Sequence, residues 1–268
     1  RCLVGSEMCI RDRNNHGTAP GAALEKNGKC VIILPGPPGE LVPMFNESVR
    51  GFLKKYSDGA IVSHTVNIIG MGESSVAEEI EDMFDAKNPT VAPYAKSGEV
   101  RLRITAKSET ADDADKMCAP VVDEICSRLG DVVYGTDMNS IEERVVALLK
   151  EKGKKIATAE SCTAGYIPKR LTDIPGASEV FECGIVSYSN DIKTKLLGVS
   201  PKTLETYGAV SEQTAREMAL GAKHVSGADI AISTTGLAGP GGDGVLPGGL
   251  SFAAVTDGER TVVEKIVT

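Results

Sequence analysis

The 268-residue sequence predicts a mixed α/β protein: a three-layer α/β C-terminal domain, preceded by a small α+β module and by the remnant of a further α/β domain. Three observations predict it. From Ile141 onward, amphipathic helical stretches alternate with short apolar runs, a pattern that places helices on both faces of one sheet. Between residues 64 and 134 the order strand, helix, strand, strand, helix, strand suits a split-βαβ, ferredoxin-like module. Ahead of that, one apolar run, one Gly/Pro loop and one helix make half of an α/β unit, which cannot close a core by itself.

Taken in order, residues 1–13 show no helical or strand period and lack the charged-then-apolar layout of a signal peptide, so they are expected to be disordered or an artefact. Residues 16–21 are turn-rich, 30–34 form a buried-type strand, and a Gly/Pro loop leads to a helix over 43–56. Together 14–57 make the remnant domain. Ser57-Asp58-Gly59 marks a boundary. The module at 60–135 has strands at 64–69, 89–95, 100–104 and 132–134, and helices at 73–84 and 112–129. Its Arg101 and Arg103 read as the solvated face of a sheet rather than an anion patch. After Gly135-Thr136-Asp137 comes the domain at 138–268. It carries a helix at 141–149, strands at 155–157, 182–188, 229–233 and 250–255, and a helix whose N-cap is Ser211.

Composition limits the function. Hydrophobic residues are 41% and charged residues 25%, a globular balance, and no apolar run is long enough for a membrane helix. The net charge of -8 argues against duplex DNA, and aromatics at 4% argue against a base-stacking surface. Seven cysteines form no C-x-x-C pair and only three histidines occur, which disfavours a zinc site or a disulfide framework. No metal and no cofactor are expected, and a reducing cytoplasm fits best.

The chemistry concentrates in Thr158-Ala159-Glu160-Ser161-Cys162-Thr163-Ala164-Gly165, where a strand hands over to a helix. Small residues there let the backbone approach a ligand, and the helix start offers free N–H groups. Ser161 reads either as a helix N-cap or as a nucleophile held in that field. A second small-residue loop, beginning at Thr234, follows another strand of the same domain. Ligands of open α/β sheets bind beyond the carboxyl ends of the strands, so the two loops are expected to share a pocket for a phosphate or an oxyanion. Neither loop is a dinucleotide or P-loop fingerprint. Tyr188 ends a third strand and Lys193 lies five residues on, across a strand-to-helix turn from which both can point into that pocket. A desolvated lysine acts as base for a serine; the alternative is an exposed cation at a helix start. His16, His64 and His224 all fall outside the loops, which leaves lysine as the best available base. Cys162 reads as a rival nucleophile or as a small buried thiol.

Five motifs in this order resemble the C-terminal domain of the CinA (competence/damage-inducible) family. They are Ala-Glu-Ser-Cys-Thr-x-Gly at 159–165, Pro-Gly-Ala-Ser at 175–178, Val-Ser-Tyr-Ser-Asn-x-x-Lys at 186–193, Gly-Ala-Val-Ser-Glu at 208–212 and Thr-Gly-Leu-Ala-Gly-Pro at 235–240. Upstream, Gly-Thr-Ala-Pro-Gly and Leu-Pro-Gly-Pro-Pro-Gly-Glu-Leu resemble the end of the family's molybdopterin-binding-like domain, and residues 88–95 resemble its middle module. The resemblance covers essentially 14–268 and implies a chain shortened at both ends.

The resemblance implies a nicotinamide-nucleotide amidase that converts nicotinamide mononucleotide to nicotinic acid mononucleotide and ammonia, in pyridine nucleotide recycling. It implies catalytic positions at Ser161, Lys193, Tyr188 and Ser178: Ser161 as nucleophile, Lys193 as its base, Tyr188 moving or orienting a proton, and Ser178 as the rival nucleophile. It implies substrate-binding positions at Glu160, Thr163, Gly165, Asn190, Thr235, Gly236 and Gly239, with Thr235 and Gly236 holding the nucleotide or the oxyanion. The partner implied is a small-molecule nucleotide, with no nucleic acid and no membrane, in a homo-oligomer of at least a dimer. The alternative is a non-catalytic nucleotide- or pterin-binding module or a competence-related interaction protein.

Five features bear on how far the family pattern holds. Ala164 replaces a glycine and requires a negative φ, and Pro168 requires a place in the first helical turn. Leu246-Pro247-Gly248-Gly249 stands where the family has Lys-Pro-Val-Gly, and the family's closing segment with its phosphate-facing arginine is absent. The glycine-rich acidic motif tied to metal-dependent ADP-ribose hydrolysis in the family's first domain is also absent, so that activity is not expected.

Overall fold

Asn27-Gly28, with φ of 52° and 71°, is the two-residue turn that organises the first sheet. Strand β1 (Met8–Asp12) pairs antiparallel with β2 (Gly21–Lys26), which turns through Asn27-Gly28 into β3 (Lys29–Ile33). Three expectations are corrected here. Residues 8–12 form a strand, because an open edge of backbone donors and acceptors selects a partner without needing a strong side-chain period. The strand at 21–26 was not expected, although Asn-Gly between two runs is the hairpin signal. The helix begins five residues before its expected start. Pro38 takes the first position of α1 (Pro38–Met44), where a missing N–H costs nothing. A π turn (Phe45–Val49), α2 (Arg50–Leu53) and a 3₁₀ turn (Lys54–Tyr56) continue it.

This structure is a computed structural model and describes residues 8–12, 14–56, 58–96, 98–239, 241–242 and 244–267. The chain divides into two compact units. One takes in the residues up to His64, 80–92 and 103–125; the other takes in 65–79, 93–102 and 126–268.

The elements between 60 and 136 follow the expected order: β4 (Ala60–Ile69), α3 (Glu73–Glu79), β5 (Thr90–Lys96), β6 (Glu99–Ser108), α4 (Ala111–Leu129) and β7 (Val133–Thr136). The sheet order is β5-β6-β4-β7, which is the strand order of a split βαβ module. Arg101 departs from its expected role. Its guanidinium donates to the carbonyls of Met138 at 3.2 Å and Asn139 at 2.9 Å, so it ties down the segment leading into the last domain.

The last domain is three-layered. It contains α5 (Ile141–Glu151), β8 (Ile156–Glu160), α6 (Tyr166–Thr172), β9 (Phe181–Val186), α7 (Asn190–Leu197), α8 (Pro201–Tyr207), α9 (Glu212–Ser226), β10 (Ile230–Gly236), β11 (Leu250–Thr256) and β12 (Thr261–Val267). The sheet order is β12-β11-β10-β8-β9; β8 runs parallel to both β9 and β10, while β11 and β12 form an antiparallel extension. Every residue of β8 is buried, as a central parallel strand covered on both faces requires. One face packs Val146, Leu149, Ile156 and Leu171 with Ile230 and Ile232. The other packs Ala159, Leu197, Met218, Ala222 and Ala231. Ser211 caps α9 by accepting from the Thr214 N–H at 3.2 Å. Helix α8 and strand β12 were not expected.

Candidate active site

Side chains alternate along a strand, and this alternation divides the carboxyl edge of the sheet in two. On β8 and beyond, Ala159 and Ser161 lie toward α7 and α9, whereas Ile156, Thr158 and Glu160 lie toward α5 and α6. Ser161 N–H donates to the Thr234 carbonyl at 2.9 Å, which carries the β8–β10 pairing one residue past the strand end. Its hydroxyl is thereby set toward α7.

Helix α7 delivers the partner. Ser189 caps it by accepting from the Ile192 N–H at 3.3 Å, and Lys193 is buried at 1% exposure with its chain folded back under the strand ends. Lys193 Nζ lies 3.0 Å from Ser161 Oγ, 2.8 Å from the Ser187 carbonyl and 3.2 Å from the Tyr188 carbonyl. Burial holds the Lys193 pKa below the ordinary lysine range. As an ammonium Lys193 donates to all three oxygens, Ser161 Oγ included. Carbonyls only accept, so once neutral the amine would keep its two protons on Ser187 and Tyr188 and turn its lone pair to the Ser161 hydroxyl. That is the arrangement of a lysine base on a serine nucleophile.

Ser161 is not a helix cap. The N-cap of α6 is Gly165, at φ 95°. The capping acceptor is Glu160, whose Oε2 takes the N–H groups of Gly165 and Ile167, both at 3.2 Å. Glu160 is 1% exposed, and its Oε1 and Thr158 Oγ1 are buried without a hydrogen-bond partner among the described residues. Thr163 Oγ1 lies 2.6 Å from Thr234 Oγ1 on the same side. Cys162 is half-buried with its thiol pKa raised, chiefly by burial, which suits a small packed thiol rather than a nucleophile.

Other expected site residues are placed differently. Thr235 is buried and donates its hydroxyl to the Ala209 carbonyl at 2.6 Å, so that group serves the fold. Gly236 pairs with Ser251, and a Cβ there would come 2.5 Å from the Ser251 Cβ. Gly239 is exposed, and Pro240 lies outside the described residues. Tyr188 is 77% exposed and meets Lys193 through its carbonyl; Asn190 is exposed at the first turn of α7. Ser178 is exposed on a 3₁₀ turn (Ala177–Glu179) ahead of β9. Because β8 and β9 run parallel, it lies at the amino edge of the sheet, the length of β9 or roughly 20 Å from Ser161. Conversely, Ser187 and Thr234 join the site without having been expected. Both stand at carboxyl ends of parallel strands, and that position was the available signal. His16 and His64 sit elsewhere, against Glu47 and Asp115. Among the described residues no cluster of His, Cys, Asp and Glu could hold a metal ion, and no helix is long and apolar enough to cross a membrane.

Comparison with known proteins places these observations. The sequence profile of the CinA C-terminal domain matches residues 138–268, and that of the damage-inducible protein CinA KH domain matches 63–135. A putative competence-damage inducible protein of Clostridium beijerinckii is 53% identical over 255 residues, which is 94% of this chain and 62% of that protein. This chain belongs to the CinA family. A CinA-like protein of Desulfovibrio desulfuricans is 49% identical over 91% of this chain and 58% of its own length. The solved competence/damage inducible protein CihA of Agrobacterium tumefaciens is 41% identical and is matched over 47% of this chain and 78% of its own, at a TM-score of 0.46. The chain spans about three-fifths of the length of the curated CinA relatives named above.

Two of the sequence features noted at this loop can now be placed. Ala164 has φ 48°, not the negative value its side chain prefers, because the turn from Ser161 into α6 needs a left-handed residue there. Pro168 is the third residue of α6, within the first turn, as required.

Proposed function

We propose that this CinA chain is a Ser/Lys amidohydrolase acting on a pyridine mononucleotide, releasing ammonia from nicotinamide mononucleotide. The observation that carries the reading is the buried Lys193 amine 3.0 Å from Ser161 Oγ. Ser161 Oγ attacks the carboxamide carbon while its proton passes to Lys193 Nζ. The tetrahedral intermediate then collapses, the C–N bond breaks, and the nitrogen takes that proton and leaves as ammonia. Water attacks the resulting ester, gives a proton to Lys193, and the serine is regenerated as the carboxylate product departs. Ser187 and Tyr188 contribute backbone carbonyls that hold the amine in line.

The test is ammonia release from nicotinamide mononucleotide by wild type and by Lys193→Ala. Normal release by the lysine variant sinks the proposal. Binding of the mononucleotide with no ammonia from wild type points instead to a non-catalytic nucleotide-binding member of the family.

A further inference from the structure

Glu160 precedes the proposed nucleophile yet faces away from it. Its Oε2 accepts the N–H groups of Gly165 and Ile167, donors that a helix start leaves open. These two bonds join the end of β8 to the start of α6 and close residues 161–164 into a short strap. Within it, the Ala164 N–H donates to the Ser161 carbonyl at 3.3 Å, and Thr163 is held by Thr234 at 2.6 Å. Ser161 is the first residue of the strap, and its hydroxyl meets Lys193 on the opposite face.

We infer that Glu160 is the positioning residue of this site: by capping α6 it sets the strap that aims Ser161 Oγ at Lys193 Nζ, and it does not contact substrate. This role replaces the substrate-binding one expected from the sequence and rests on the Ser/Lys hydrolase reading. Reach decides it rather than charge, since any side-chain oxygen that spans to both N–H groups serves. Little slack is available, because misplacing a reacting group by about 1 Å costs on the order of 10²-fold in rate.

Two variants separate reach from charge. Glu160→Gln keeps the length and an acceptor oxygen; Glu160→Asp keeps the charge and is one methylene short. Each is compared with wild type for kcat and KM of ammonia release from nicotinamide mononucleotide. The rate at which phenylmethylsulfonyl fluoride modifies Ser161 is followed by intact mass. The expected result is a loss on the order of 10²-fold in kcat for Glu160→Asp, with KM changed by less than about threefold and labelling slowed in step. Glu160→Gln recovers most of both. The inference is overturned if Asp equals or exceeds Gln, if KM rises while kcat and labelling hold, or if both variants match wild type. Wild type that labels at Ser161 but releases no ammonia fails the hydrolase reading alone, and the labelling comparison still decides the role of Glu160. Wild type that does not label at Ser161 overturns the inference. Should Glu160→Asp not fold, Glu160→Gln decides: labelling near the wild-type rate supports positioning, and labelling below about a tenth of it overturns the inference.

Discussion

Lys193 and Ser161 are 32 residues apart in sequence and 3.0 Å apart in the fold, and that contact is buried. The lysine amine is surrounded by two carbonyls and a hydroxyl, and burial depresses its pKa. A base must be unprotonated to work. Activity is therefore expected to rise with pH along an acid limb whose midpoint lies below the ordinary lysine value, and Lys193→Arg, which stays charged, is expected to show neither limb nor activity. A kcat/KM profile against pH measures both.

The same shift has a consequence for stability. Between the depressed folded pKa and the ordinary lysine pKa, the unfolded chain binds the proton that the folded chain rejects. Unfolding free energy contributed by Lys193 therefore rises with pH across that window and is lost as pH falls through it. Urea titrations of wild type at a series of alkaline pH values should show this slope, and Lys193→Met should flatten it.

Ser161 and Ser178 lie at opposite edges of the sheet. Ser161→Ala is expected to lower kcat for ammonia release by at least about 10³-fold, while Ser178→Ala keeps kcat and KM near wild type. Equal losses in the two variants would show that the serine at the amino edge also takes part in the chemistry.

Thr235 provides a sharper check on the division of labour. Its hydroxyl is committed to the Ala209 carbonyl at 2.6 Å. Thr235→Val should reduce stability by about 1–3 kcal/mol, the cost of leaving that carbonyl unsatisfied, and leave KM for the mononucleotide unchanged. A large rise in KM at unaltered stability would restore the nucleotide-binding role expected from the sequence.

Ala164 is the one strained position in the strap, with φ 48°. Ala164→Gly removes a clash worth roughly 1–2 kcal/mol, partly offset by the added freedom of glycine in the unfolded chain. A higher urea midpoint with unchanged m-value is the expected result, and an unchanged or lower midpoint would show that the turn carries no strain.

Much of this protein was legible in its sequence because the signals are local. The helical stripe along α9, its Ser211 cap and the alternation in β6 each depend on residues a few positions apart. So does the order of elements in the module spanning β4 to β7, whose strand pairing then agrees with that order. Local signals also explain the misses: β12 mixes apolar and charged residues at a sheet edge, and α8 is a seven-residue helix in which no residue is fully buried.

The sequence by itself determined that a serine stands at a strand-to-helix junction, and that His16, His64 and His224 fall outside the small-residue loops while Lys193 follows a neighbouring strand. Only the tertiary structure decided how those groups are used. Strand β8 ends at Glu160 rather than Ala157, and that shift sends Glu160 to α6 and Ser161 to α7. The parallel run of β8 and β9 separates Ser161 from Ser178. Packing of α7 buries Lys193 rather than leaving it solvated. Each of these depends on which strand lies beside which, and in what direction. Such pairings join residues tens of positions apart, beyond the range over which a side-chain period can be read.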